Sequence, residues 1–171
     1  MARQPHSEEM IKIILAHEGP LLRFAYLHLK DRGLAEDVVQ ETFVACLAGA
    51  HVPDNYRLRR WLMTTCRNKC LNIIKHHKVV DAHTRDSALN SNPESPSPEE
   101  NLISKEDCVS LAEAIESLPL ESQEVLWLRF DGDLSYQQIA EVVGKTPTNV
   151  GYLLCTAIKR LKAMVRKGDK S

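Results

Sequence analysis

Residues 134–162, LSYQQIAEVVGKTPTNVGYLLCTAIKRLK, constrain the fold more than any other stretch of this chain. Leu134, Ile139, Ala140, Val142 and Val143 make one apolar face of a short helix, with Ser135 placed to accept an orphan amide of its first turn. Gly144 stands where the chain leaves that helix, a position that favours positive φ. Thr146-Pro147 opens a second helix, since proline loses nothing in a first turn. Val150, Leu153, Leu154, Ala157, Ile158, Leu161 and Val165 then recur at steps of three and four, so one side of this second helix is buried. A helix, a tight turn and an amphipathic second helix describe a helix-turn-helix, which usually sets its second helix in the DNA major groove. The same pattern suits an ordinary helical hairpin in a bundle equally well.

Elsewhere strand-like alternation is nearly absent and the 3.6-residue period recurs, so the fold class is all-α. The 171 residues suit one domain or two small ones. Residues 87–101, SALNSNPESPSPEEN, have no apolar period and cannot offset their ordering entropy by burial. They are expected to form a flexible linker within 81–102, between an N-terminal helical unit (1–80) and a C-terminal one (103–171) that ends in the helix-turn-helix. In the first unit a helix from Ser7 to about His17 is expected, interrupted or kinked at Gly19-Pro20, then Leu21–Leu29, Leu34–Leu47 and a long helix from Arg57 to about His77. In the second, Ile103–Ser117 and Glu121–Phe130 precede the helix-turn-helix. The N-terminus lacks the apolar core of a signal peptide, and there is no run long enough to span a membrane. A cytoplasmic protein without membrane insertion is expected. Five cysteines, an odd number on apolar helical faces, suit reduced thiols rather than a disulfide framework.

The net charge of −1 hides two acid-free basic segments. Arg57–Val80 carries seven Lys/Arg and Val142–Gly168 carries six. Two such segments, one inside a helix-turn-helix, point to two contacts with a polyanion. In the first, Arg57, Arg60, Thr64, Arg67, Leu71, Lys75 and Lys78 advance along one stripe, opposite Leu62, Cys66, Cys70 and Ile73. Asn68 and Asn72 flank the basic stripe, and Tyr56 and Trp61 stand at its start. Basic side chains grip phosphates without reading sequence, while aromatic and amide groups beside them can engage unpaired bases. For Trp61 the residues favour a core position over stacking. Cys66-x-x-x-Cys70 with His76-His77 lacks a second ligand pair, so structural thiols are expected and no metal or other cofactor. On the preceding helix Asp37, Gln40 and Glu41 fall at i, i+3 and i+4 and share an outward face, a docking surface for a basic helix or simply a solvated one. Val39, Phe43 and Cys46 suit the core.

HEGPLLRFAYLHLKDRGLAEDVVQETF resembles the core-binding segment of bacterial sigma factors of the extracytoplasmic-function group. RRWLMTTCRNKCLNIIKHHK resembles that group's W-L-x-x-x-x-R-N segment, which engages and melts the −10 promoter element. ESLPLESQEVLWLRFDGDLSYQQIAEVVGKTPTNVGYLLCTAIKRLK resembles its −35-reading region. The segments occur in the family's order, over about residues 7–78 and 103–166. The resemblance implies a promoter-specificity subunit, not an enzyme, whose partners are core RNA polymerase (its β and β′ subunits), promoter DNA and an anti-sigma factor. It places Asp37, Gln40 and Glu41 on the β′ clamp helices. The loop from Ala50, including Asp54, Asn55 and Tyr56, would capture a flipped −10 base, with Arg57, Arg60, Trp61, Arg67, Asn68 and Lys75 along the strand-engaging helix. Lys145, Thr146, Thr148, Asn149, Tyr152, Thr156 and Lys159 would contact the −35 element. The apolar hairpin around Leu118, Val125 and Leu126 would hold the β flap.

The chain departs from the family where basic residues are usual in the second helix, which here has Gly151, Leu153, Thr156 and Ile158. Gln123 also replaces a usual arginine. Arginine to guanine is the commonest specific base contact, so this helix lacks the usual residues for guanine. Gly151 either admits a close partner, such as a DNA backbone or another protein, or packs against a neighbouring helix. Two other readings compete: a stand-alone helix-turn-helix regulator that does not require polymerase, and a thiol or metal sensor built on Cys66, Cys70 and His76. The Asp37/Gln40/Glu41 face argues against the former, since a free DNA binder has no use for it.

Overall fold

Seven helices, grouped in two units, account for the secondary structure of a computed structural model that describes residues 6–48, 55–83 and 105–168. Among the described residues there is no strand, and the all-α class holds. The chain divides into Met1–Pro93 and Glu94–Ser171. The segment expected to be a linker lies largely outside the described residues.

The N-terminal unit packs α1 (His6–Leu29), α2 (Arg32–Ala48) and α3 (Asn55–His83) pairwise against one another. Leu21, Phe24 and Ala25 of α1 meet Ala35, Val38, Val39 and Phe43 of α2, and Leu58, Leu62, Met63, Cys66 and Cys70 of α3, all buried. Of the break or kink expected at Gly19-Pro20 the break does not occur, and α1 runs through it as one helix. Proline costs a helix interior about 3 kcal/mol, but the residues that follow it are buried, Leu21 and Ala25 completely. Burying one such leucine contributes about 1.5–3 kcal/mol, so packing outweighs the lost bond. The α1–α2 corner turns at Lys30, with φ of 53°, and Asp31 Oδ1 accepts the Leu34 amide at 2.9 Å as the cap of α2. α2 therefore begins earlier than its periodicity indicates, with Gly33 inside its first turn.

In the C-terminal unit α7 (Pro147–Gly168) packs against α4 (Lys105–Glu116), α5 (Leu120–Phe130) and α6 (Tyr136–Val143). Its inward residues Val150, Leu154 and Ala157 are buried with Val125, Leu128, Leu134 and Ile139. Two turns set the geometry. Ser135 Oγ accepts the Gln138 amide at 3.3 Å while Gln138 Oε1 accepts the Ser135 amide at 2.9 Å, a reciprocal cap on α6. Gly144 closes the helix in the left-handed region, at φ 69° and ψ 37°. Gln123 is buried and its Nε2 donates to the carbonyls of Glu116 and Leu118, at 3.1 and 2.8 Å. It thereby satisfies the chain end of α4, a task its position in the sequence does not reveal.

The α5–α6 turn requires glycine for space. A Cβ on Gly132 would stand 2.7 Å from the Leu128 carbonyl oxygen, so Gly132→Ala should destabilise the C-terminal unit by about 1–3 kcal/mol in urea unfolding. In the N-terminal unit, burial and then the nearby Arg59 charge hold the His17 pKa below its ordinary value. The folded state thus favours neutral His17. Its contribution to stability is complete above about pH 6.5 and is lost as pH falls below that value. Thermal unfolding of the full chain should show the N-terminal unit weakening as pH is lowered from about 7.5 to 5.5, and His17→Gln should flatten that dependence.

Candidate nucleic-acid interface

α3 presents two faces because its inward stripe is apolar throughout. With Leu58, Leu62, Cys66 and Cys70 buried, Arg57, Asn68, Asn72, Lys75 and Lys78 are exposed, and Arg60, Thr64 and Arg67 are partly so. Trp61 is 36 % exposed, which corrects the core position its residue type suggests. It stands on the line that continues through Asn68 and Lys75, so an indole, an amide and an ammonium group share one outward face. Thr64 Oγ1 donates to the Arg60 carbonyl at 2.9 Å and is occupied within the helix. Asp54 lies outside the described residues, as does most of the loop before it. Of Asn55 and Tyr56 only the helical backbone is described.

The thiols face inward. Cys66 Sγ lies 4.0 Å from the Leu21 carbonyl oxygen, and its hydrogen bond with Cys70, reinforced by burial, pushes its pKa far above the usual thiol range. Both effects favour the neutral thiol over the thiolate that reacts or binds metal. His76 is exposed while both cysteines are buried, so the sensor trio is not assembled. Among the described residues no group of three or more His, Cys, Asp or Glu side chains is arranged to hold a metal.

Asp37, Gln40 and Glu41 are all exposed on α2. They border a groove of about 490 Å³ whose apolar wall is Val44, Ala45 and Ala48. One of the three has an internal partner that sequence reasoning missed: Lys69 Nζ donates to Glu41 Oε2 at 2.7 Å, across from α3. Lys69 therefore belongs to the acidic face of the unit rather than to the basic stripe of its own helix. Its spacing gives the signal, since it falls outside the Arg57-to-Lys78 stripe.

In the C-terminal unit α7 sets Thr148, Asn149, Tyr152, Cys155 and Lys159 outward, with Thr156 half-buried. Tyr152 is 69 % exposed. Lys145 and Thr146 precede the helix and serve it. Thr146 Oγ1 accepts the Asn149 amide at 3.2 Å, and Lys145 Nζ pairs with Glu121 at 3.2 Å, joining the turn to α5. Gly151 faces Tyr136 of α6, whose ring would lie 3.6 Å from a Cβ there. This is packing with a neighbouring helix, one of the two alternatives the glycine left open. Arg129 sits 5.6 Å from the centre of the same ring and donates to the Leu134 carbonyl at 2.9 Å. Tyr136 and Cys155 are exposed members of this surface that the family pattern did not single out. Periodicity could have found Cys155, which falls three residues after Tyr152 and four before Lys159.

Leu118, Val125 and Leu126, at the centre of the hairpin expected to hold the flap, are buried. The exposed apolar surface beside them is a groove of about 470 Å³ lined by Leu111, Ile115, Leu126, Trp127, Phe130, Ile158 and Leu161. Phe130 is 69 % exposed within it.

Residues 13–79 match Sigma-70 region 2, and residues 108–161 match Sigma-70, region 4. The chain is 28 % identical to the ECF RNA polymerase sigma factor SigM of Bacillus subtilis over 160 residues, covering 92 % of this chain and 95 % of that one. It is 34 % identical to the ECF RNA polymerase sigma factor SigD of Mycobacterium tuberculosis over 145 residues, 79 % of this chain and 65 % of the relative. The sigma factor RpoE of Bartonella quintana, solved in complex with the anti-sigma factor NepR, superposes with a TM-score of 0.69 at 20 % identity, over 93 % of this chain and 98 % of that one. That likeness is one of fold. No described helix is long and apolar enough to cross a membrane. With both sigma regions in order on two helical units, and SigM matched over 95 % of its length, the chain belongs to the sigma-70 family and to its extracytoplasmic-function group, which binds core RNA polymerase and directs it to promoters.

Proposed function

We propose that the two units divide initiation between them: residues 1–80 hold the polymerase and open the −10 element, residues 103–171 dock on the −35 element, and residues 81–102 tether them. The observation that carries this reading is the outward face of α3, where Trp61, Asn68 and Lys75 lie beside Arg57, Arg60 and Arg67. A duplex binder needs only the cations. An exposed indole with amides beside it suits unpaired bases, because every base offers a π-face. Extruding a base costs a few kcal/mol, and stacking with phosphate contacts is what offsets it. Asp54, Asn55 and Tyr56 complete this site in our reading.

Asp37, Gln40 and Glu41 are the polymerase-binding residues on β′, and the Leu111/Trp127/Phe130 groove suits an apolar element of β. The protein works by binding and positioning rather than by covalent catalysis, in the cytoplasm where polymerase acts. An anti-sigma protein is a further partner, supported by the complex in which the Bartonella relative was solved. In the same reading Lys145 and Thr146, just before α7, and Thr148, Asn149, Tyr152, Thr156 and Lys159 on it contact the −35 duplex.

Glu41→Lys should weaken binding to purified core polymerase by at least about tenfold while costing no more than about 1 kcal/mol of stability, since the Glu41–Lys69 pair is exposed. Unchanged competition for core by this variant would remove α2 from the polymerase interface. Trp61→Ala should leave holoenzyme formation intact and weaken capture of single-stranded −10 DNA by roughly 5- to 150-fold, the span of one base–aromatic stack. Permanganate reactivity of promoter thymines reads the corresponding loss of opening.

A further inference from the structure

From Thr146 to Ile158 there is no charged residue. These thirteen positions hold the turn residue Thr146 and the first three turns of α7, the part of a helix-turn-helix that reaches base edges. Thr148, Tyr152 and Cys155 follow one line along it, at steps of four and three, and all are exposed. Asn149 is exposed beside them and Thr156 partly so. Lys145, before the helix, is paired with Glu121, and Lys159 comes only a turn after Cys155. Tyr136, 46 % exposed, lays its ring against α7 at Gly151, and Arg129 of α5 sits 5.6 Å from the centre of that ring.

The major groove gives this surface two suitable targets and denies it a third. Guanine shows two acceptors, N7 and O6, that a forked cation matches, and α7 has no such cation in these turns. Adenine shows an acceptor and a donor, N7 and N6, which one asparagine amide satisfies together. Thymine carries the C5-methyl group, the apolar feature of the groove floor, and an aromatic ring or thiol can pack on it.

We propose that α7 reads A·T pairs, Asn149 gripping an adenine edge while Tyr152 and Cys155 pack on thymine methyl groups, so that guanine carries little of the −35 information. This rests on the reading that the C-terminal unit docks on the −35 element. It assigns Cys155 a specificity role, and it makes the uncharged face the recognition surface rather than a weakened version of a basic one.

The test uses full-length protein with core polymerase, selecting from a library of random double-stranded DNA. The selected upstream element should be dominated by A·T at the positions α7 contacts. Replacing a contacted thymine with deoxyuridine removes only the methyl and should weaken binding about fourfold, the worth of one buried carbon. Asn149→Ala should relax the preference for one adenine by about tenfold, within the range of a bidentate contact. Tyr152→Arg or Cys155→Arg should create a guanine preference at the corresponding position. An upstream element dominated by guanine, or deoxyuridine bound as well as thymine throughout, overturns the base assignment and leaves −35 docking standing. Absence of any selected or protected sequence upstream of the −10 element overturns the docking reading itself, and this inference with it.

Discussion

Both units depend on the burial of one apolar stripe on their longest helix. In α3 it is Leu58, Leu62, Cys66 and Cys70, and in α7 it is Val150, Leu154 and Ala157. An α-helix that buries one stripe must turn the opposite one to water. Burial therefore selects the residues left exposed. Trp61, Asn68 and Lys75 point outward because the residues of the apolar stripe between them point in. The same logic sets Thr148, Tyr152 and Cys155 on the outer line of α7.

Several polar side chains near these faces have structural work to do as well. Lys69 ties α3 to Glu41 on α2, and Lys145 ties the helix-turn-helix turn to α5. Exposed pairs of this kind contribute little to stability, about 0–1 kcal/mol. Their larger effect is to place charge: Lys69 is drawn to the α2 side, and Lys145 is held at the start of α7. Thr146 caps the recognition helix, so substituting it would alter the helix start as well as any DNA contact. Thermodynamic controls thus matter more at Lys145 and Thr146 than at Asn149 or Tyr152, which lie within the exposed part of the helix.

Much of this was legible in the residue pattern. The helix-turn-helix turn was, because Ser135, Gly144 and Thr146-Pro147 act through local backbone chemistry that needs no knowledge of distant residues. The buried and exposed stripes of α3 and α7 were, because a period of 3.6 is a property of the chain itself. Three features were not. Continuity of α1 through Pro20 depends on how much apolar surface lies beyond it, which local propensity does not measure. The exposure of Trp61 depends on how α1 and α2 cover α3. Gln123 acts on carbonyls at Glu116 and Leu118, seven and five residues back, a contact that exists only once α4 and α5 have turned against each other.

The sequence by itself determined the all-α class and the position of the helix-turn-helix, which rest on local propensity and periodicity, and its resemblance to the sigma-factor group implied the order of the two regions. Only the tertiary structure decided that Glu41 meets Lys69, that Gly151 receives the Tyr136 ring, that Cys66 and Cys70 are buried and that Leu118 and Val125 are core. The physical reason is the same in each case. Helix propensity and stripe are fixed over four residues, whereas the neighbour of a given side chain is set by the rotation and crossing of whole helices, and that is settled by packing the core.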